Sequence, residues 1–513
     1  MQALVDLLDK HLIDSKFQGK ESSIERARKR GKFLARERIE LLLDQDSPFL
    51  ELLPLAGMEK KGGFGAGGTN VCGIGIVSGK MCIINSNVGT RKGGSVDYTT
   101  VFKSFRIGQI TLECKLPTIN LVESGGLPIL PDQAKIFNYG GASFKDITQR
   151  SEQGIQTISI VFGNATAGGA YVPGMSDYAI LQKNTAKVFL AGPPLVKMAT
   201  NEESTDEELG GAQMHSSVSG VSDYLAEDEL DAIRIAREIM DYIPVRKAHF
   251  VPTDPVIPPL FSASEILGVV PANVKIPFDI RELIMRIIDA SDFAEFKSEY
   301  GNTMVCGWAK IHGYPVGILG NNGVIFSESA NKAAQFIQLS NQKNIPLLFL
   351  QNTTGYMVGK EYEEGGIIKN GAKLINAVSN SKVPSLTLMI GNSYGAGNYG
   401  MNGRSYNPNF LFSYPNSKIG VMGAEQLAGV MEIVQKSAAK AKGIEINEQQ
   451  ADMMKQMLIN DVETKSSSWY STSEMWDDGV INPAETRNYL GFTLAVLYSN
   501  EIKGSNSYGI WRH

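Results

Sequence analysis

The chain has 513 residues, 43% of them hydrophobic and 20% charged, which is enough for about two to four domains with sizeable cores. A net charge of −5 with a pI near 5.8 excludes the basic face that nucleic-acid binding requires. Cys72, Cys82, Cys114 and Cys306 form no C-x-x-C pair, so neither a zinc site nor a disulfide framework is expected, and no metal site is assigned. The N-terminus lacks a signal-peptide core and no apolar run nears the ~18 residues of a membrane span, so the expected compartment is the cytosol.

In chain order, ARERIELLLD (35–44) reads as a helix whose Arg36 and Arg38 lie on a solvated face, with phosphate binding as the alternative. GIGIVSG (73–79) has glycines six apart, bounding a strand-like alternation that turns into a hairpin. RKGGS (91–95) is a glycine loop with basic flanks. Arg91, Lys92 and Gly93 suit a phosphate-bearing ligand, against a charged surface turn, and the full P-loop pattern is absent. In KLPTINLVESGG (115–126) a proline opens a short apolar run, the mark of a strand buried on both faces, which ends at Gly125 and Gly126. In ATAGGAYVPG (165–174), Gly168 and Gly169 head a short helix, where a ligand oxygen can approach backbone N–H groups closely. Such a turn is an oxyanion hole. The competing reading is that the glycines only permit tight packing. Thr205 and Glu208 form a capping box. Residues 226–243 place Leu230, Ile233, Ala236, Ile239 or Met240, and Ile243 on one helix face.

Seven prolines between Pro244 and Pro277 mark a linker, and the same grammar then repeats. GWAKIHG (307–313) matches the first hairpin, NIPLLFLQNTTG (344–355) the buried strand and SYGAGNYGMNG (393–403) the small-residue turn. SKIGVMG (417–423) matches AKVFLAG (186–192). Ala396 and Gly397 stand where Gly168 and Gly169 stand, predicting one anion-stabilising backbone site per half. The fold expected is α/β, with two tandem domains from an internal duplication: residues 1–250, a linker over 251–277, and 278–513. The five histidines fall in no His-Glu or Ser-His-Asp constellation, and the G-x-S-x-G elbow is missing. Either the chain is not an enzyme, then, or a cofactor supplies the reactive groups.

Across nearly the whole chain, ARERIELLLD, LVESGG, TAGGAYVPGMSD, FLAGPPLVKMAT, ELGGAQMH, GVIFSESA, PLLFLQNTTGYMVG, GGIIKNGAKL, GNSYGAGNYGMNGR, VMGAEQ and WDDGVINPAETR resemble the carboxyltransferase (β) subunits of biotin-dependent acyl-CoA carboxylases, members of the crotonase superfamily. The resemblance implies two crotonase-like (ClpP/crotonase) β-β-α superhelix domains and an active site shared between subunits of a homo-oligomer, usually a hexamer. It implies that Gly168 and Gly169 hold the acyl-CoA thioester oxygen and that Ala396 and Gly397 hold the ureido oxygen of biotin, which itself serves as the base. Tyr171, Phe189 and Tyr399 would line the acyl pocket, with Arg91, Lys92, Gly93, Gly125 and Gly126 on the substrate side and Gly355, Tyr356 and Gly395 on the biotin side. Lys197 lacks a Met-Lys-Met setting and no ATP-grasp loop is present, so a biotin carboxylase and biotin carrier subunit is the implied partner. Methylcrotonoyl- or propionyl-CoA is the implied substrate, and neither nucleic acid nor membrane is. The alternatives are the carboxyltransferase of a biotin-dependent acyl-CoA decarboxylase, a biotin-independent crotonase-type hydratase or hydrolase, and a non-catalytic scaffold.

Overall fold

The computed structural model describes residues 1–127, 133–244, 252, 254–442, 447–505 and 507. His249, His513 and residues 128–132 lie outside them. The chain divides into two compact units, His11–Ala248 and His249–His513 with Met1–Lys10.

The first unit carries β1 (Leu50–Leu52), β2 (Asn70–Val77), β3 (Lys80–Asn87), β4 (Thr118–Ser124), β5 (Thr157–Thr166), β6 (Tyr178–Gln182), β7 (Lys187–Phe189) and β8 (Tyr224–Ala226). They lie in the order β1-β2-β3-β4-β5-β6-β8, with β7 paired to the far end of β5. The pairs β1–β2 and β2–β3 are antiparallel, and the sheet is parallel from β3 onward.

The second unit carries β9 (Ala294–Phe296), β10 (Met304–Ile311), β11 (Tyr314–Asn321), β12 (Leu347–Thr353), β13 (Ser385–Tyr394), β14 (Phe410–Ser413) and β15 (Lys418–Gly420). Their order is β14-β13-β12-β11-β10-β9, with β15 on the end of β13. Crossover helices of 17 residues each, Tyr98–Cys114 and Ser327–Lys343, feed β4 and β12. Parallel neighbours require such crossovers, and the helices cover the sheets.

The duplication reaches individual hydrogen bonds. Each hairpin turns on two residues with positive φ, Ser78–Gly79 (50° and 72°) and His312–Gly313 (50° and 76°), as a two-residue turn between right-twisted strands demands. Asp44 accepts the Ser78 and Gly79 amides at 2.8 and 2.7 Å, and Asp289 accepts those of His312 and Gly313 at 3.0 and 2.7 Å. Arg237 and Arg487 then pair with Asp44 and Asp289 at 2.8 and 2.7 Å. The β4–β5 and β12–β13 registers also slip at matching places, Val122/Ser124 and Gln351/Thr353.

Three expectations change. β2 is buried along nearly its whole length and does not alternate, because both faces of the sheet are covered. Gly73 and Gly307 sit inside strands, where an added Cβ would lie 2.5 Å from the Phe49 and Phe293 rings, so they serve close approach and only Gly79 and Gly313 serve the turn. On the helix Glu229–Tyr242, Ile233, Ala236, Ile239 and Met240 are buried but Leu230 is exposed. Asp228 caps that helix, and Leu230 falls outside its apolar face.

Candidate active site

At the end of β5 the chain turns sharply at Ala167, whose φ is 54°, into the short helical turns Ala167–Ala170 and Tyr171–Gly174. At the end of β13 it turns at Gly395, φ 55°, into the helix Gly395–Gly400. A left-handed residue followed by right-handed ones aims successive N–H groups to one side, which makes a concavity for an anion. For alanine that backbone region costs about 1–2 kcal/mol, so the turn at Ala167 is held against a local penalty. Gly168, Gly169, Ala396 and Gly397 lie just after these residues. Among the described residues none of their amides donates to a backbone acceptor outside its own turn.

The packing explanation of the glycines separates the two turns. Among the described residues, a Cβ at Gly168 would meet only the Phe144 ring at 3.5 Å, and one at Gly169 only the Ser124 side chain at 3.7 Å, both ordinary contacts. Packing therefore does not demand glycine at either position. At Gly397 a Cβ would stand 2.9 Å from Thr353 and 3.0 Å from the Gly355 Cα, so there packing does demand it.

Around the first turn the structure assembles the residues of the first half. Gly125 donates to the Gly93 carbonyl at 2.9 Å, and Val96 to that of Gly126 at 3.1 Å. The Ser124 hydroxyl donates to the Gly94 carbonyl at 3.0 Å and accepts the Gly126 amide at 3.2 Å. Phe189 pairs in register with Thr166, and the Tyr171 ring lies 5.2 Å from that of Phe144. The second half repeats the scheme: Ile325 donates to the Gly355 carbonyl at 3.0 Å, and Gly355 to the Thr353 hydroxyl at 3.1 Å. Tyr399 is exposed and its ring lies 5.9 Å from that of Tyr406. The Tyr356 ring is turned into the core beside Gly371 and Gly400, and this burial pushes its hydroxyl pKa up.

At Gly93 and Glu123 opens a cleft of about 570 Å³, lined also by Lys20, Arg26, Arg30, Lys32, Arg38, Arg91 and Lys92 among others. Arg91 is half-buried and donates to the Ala66 carbonyl at 2.9 Å, while Lys92 is exposed. Arg36 and Arg38 are both paired with carboxylates within the fold. Arg36 forms a bidentate pair with Glu51 at 2.7 and 2.8 Å. Arg38 is not on a solvated face: it is 1% exposed and spans Glu123 and Glu229 at 2.7 Å each. Burial would raise the Glu123 carboxyl, but Arg38 and Lys32 hold it below its usual range. Glu123, Lys32 and Phe144 escaped the sequence reading because their partners are distant in the chain.

His215 is buried. Its Nε2 donates to the Val188 carbonyl at 2.7 Å, leaving Nδ1 to accept from Ser219 at 2.6 Å, so both nitrogens are engaged within the fold. His312 occupies the second hairpin turn, packed where Gly491 leaves room. No helix among the described residues is long and apolar enough to cross a membrane.

The carboxyl transferase domain model matches residues 26–507. A probable biotin-dependent acyl-coenzyme A carboxylase beta2 subunit of Mycobacterium tuberculosis is 52% identical, over 100% of this chain and 96% of its own. A probable mitochondrial methylcrotonoyl-CoA carboxylase beta chain of Drosophila melanogaster is 47% identical, over 96% and 89%. The crystal structure of the geranyl-CoA carboxylase beta subunit of P. aeruginosa aligns with a TM-score of 0.89 at 42% identity, over 100% of this chain and 96% of that one. The sheet-by-sheet duplication, the paired turns and these matches agree: the chain belongs to the carboxyl transferase family.

Proposed function

We propose that the chain is the carboxyltransferase subunit of a biotin-dependent acyl-CoA carboxylase, acting on a short or branched acyl-CoA, with methylcrotonoyl- or propionyl-CoA first among candidates. The observation that carries this reading is the pair of equivalent turns at Ala167 and Gly395, each followed by amides with no backbone acceptor outside the turn among the described residues. An enolising thioester and a ureido carbonyl are both oxygen acceptors that gain charge, and preorganised N–H donors stabilise such charge without reorganising. The Gly168 and Gly169 amides would hold the thioester oxygen, and the Ala396 and Gly397 amides the ureido oxygen. Biotin, carried by a biotin carboxylase and carrier subunit, would supply the carboxyl group and accept the α-proton. That division suits a site whose nearby histidine, His215, is fully engaged within the fold.

Lys20, Arg26, Arg30, Arg91 and Lys92 around the cleft suit the phosphates of CoA. Phe189, Tyr171 and Tyr399 would bound the acyl group, Gly125 and Gly126 would border it, and Gly355 and Gly395 would border the biotin side, with Tyr356 behind them. In this reading a homo-oligomer, a hexamer in the family's usual form, brings the first unit of one copy to the second unit of another, and the cytosol is its compartment. The test is co-purification with the biotin-bearing partner, followed by bicarbonate fixation across a panel of acyl-CoAs. Fixation that needs both the partner and a short or branched acyl-CoA is the expected result. Water-dependent turnover of acyl-CoA by the chain alone would refute it.

A further inference from the structure

The last residues before each turn are backed by a three-residue strand. Asn164, Ala165 and Thr166 pair with Lys187, Val188 and Phe189 of β7, and Asn392, Ser393 and Tyr394 with Lys418, Ile419 and Gly420 of β15. Strands this short, paired along one side, gain little from their own ladder. Both are strapped down in the same way. Lys187 pairs with the Glu207 carboxylate, and Lys418 with that of Glu463 at 2.9 Å. The glutamates lie on the helices Asp206–Gly210 and Glu448–Lys465. One helical turn beyond each glutamate, the chain makes an antiparallel bridge back to the same lysine, Gly211 to Lys187 and Ser467 to Lys418. In the second unit Lys418 also donates to the Glu463 carbonyl at 3.1 Å, and in the first the His215 ring donates to the Val188 carbonyl at 2.7 Å. Between strand and strap the chain takes different routes, through the short helix Pro193–Thr200 in one unit and through Ala424–Lys442 and most of Glu448–Lys465 in the other. What the two units share is therefore the fastening itself, and what it fastens is the strand that backs the turn.

We infer that the ion pairs Lys187–Glu207 and Lys418–Glu463 are positioning pairs that hold the turns at Ala167 and Gly395 in place for the oxygens they receive. This rests on the assignment of those turns to the thioester and ureido oxygens. The glutamate side chains are 48% and 47% exposed, and ion pairs in such settings contribute little to global stability. Placement is a different matter. Backbone donors stabilise developing charge only where their geometry is preset, and a shift of about 1 Å can lower a rate roughly 10²-fold.

The test uses the complex with the biotin-bearing partner and compares Lys187→Met, Glu207→Gln, Lys418→Met and Glu463→Gln with Lys187→Arg and Lys418→Arg. In the first four, kcat for bicarbonate fixation is expected to fall about tenfold or more while the melting temperature barely moves. The arginine variants keep the ion pair and are expected to retain most of kcat. In parallel, calorimetry on the oligomer as purified measures an acyl-CoA analogue with methylene in place of the thioester sulfur, which keeps the carbonyl. Its binding is expected to weaken several-fold in Lys187→Met and to be unchanged in Lys418→Met. For either pair, a kcat close to that of the wild type after the charge is removed, or a loss that arginine fails to restore, overturns the inference. Fixation absent from the wild type itself would sink the carboxyltransferase reading, and the analogue would then decide the first strap: equal affinity in Lys187→Met and wild type would overturn it.

Discussion

At the scale of single residues, glycines that look alike in sequence do different work. Gly397→Ala places a methyl group against backbone, at 3.0 Å from the Gly355 Cα, and overpacking of this kind typically costs about 1–3 kcal/mol. A clear drop in melting temperature is expected, and an unchanged one would contradict the packing role. Ala167→Gly should do the opposite. Glycine adopts the 54° φ without the alanine penalty, so a gain of up to about 1 kcal/mol is expected in a denaturant titration, with activity retained.

Asp477 is fully buried, and burial pushes its carboxyl up from 3.8 to about 6. A raised acid pKa means that the native state keeps a proton the unfolded chain releases. The stabilisation is therefore complete below about pH 4 and is lost as pH rises through 6, to about 3 kcal/mol in all. Asp477→Asn cannot ionise. Its melting temperature should exceed that of the wild type at pH 7.5 by more than it does at pH 5, and a constant gap would rule out the buried carboxyl as the cause.

At the scale of elements, the hairpins, the paired buried strands, the capping box at Thr205 and the small-residue turns were legible because proline and glycine punctuate both halves in one order. What holds the elements together was not. Arg38 reads locally as one more charge on an Arg-Glu helix, yet its partner Glu229 is 191 residues away, and that distance is why a solvated face was expected where a buried pair stands. The two hairpin clamps were hidden for the same reason. Asp289 is buried with Arg487, whereas Asp44 and Arg237 are partly exposed. Removing one partner of a buried pair strands the other charge and typically costs about 3–5 kcal/mol, far more than at the surface. Asp289→Asn should therefore lower stability by several-fold more than Asp44→Asn in paired urea titrations, and equal losses would count against this account. Within the site, glycines and backbone turns could be read from sequence. Phe144 could not, because a lone aromatic on a helix face reads as core until the turn beside it is placed.

At the scale of the whole molecule, the helices Ala424–Lys442 and Glu448–Lys465 expose Val430, Met431, Ile433, Val434, Met453, Met454 and Met457. A single folded chain rarely leaves so much apolar side-chain surface on one helix pair uncovered, which is consistent with a partner copy on that face. Ile433→Asp with Met454→Asp is expected to shift gel-filtration mass toward the monomer and to abolish activity together, and an active monomer would contradict a site shared between copies.

The central claim is that backbone amides after Ala167 stabilise the charge on an acyl-CoA oxygen. Its most direct test is kcat/KM for bicarbonate fixation by Gly169→Ala in complex with the biotin-bearing partner. The added methyl has ordinary room in the free chain, 3.7 Å from Ser124, so the melting temperature should hold. The methyl crowds the ligand side of an amide of a kind whose removal costs about 10²–10³-fold in rate, and a loss of up to that order with assembly intact is expected. Activity within a few-fold of the wild type would contradict the claim.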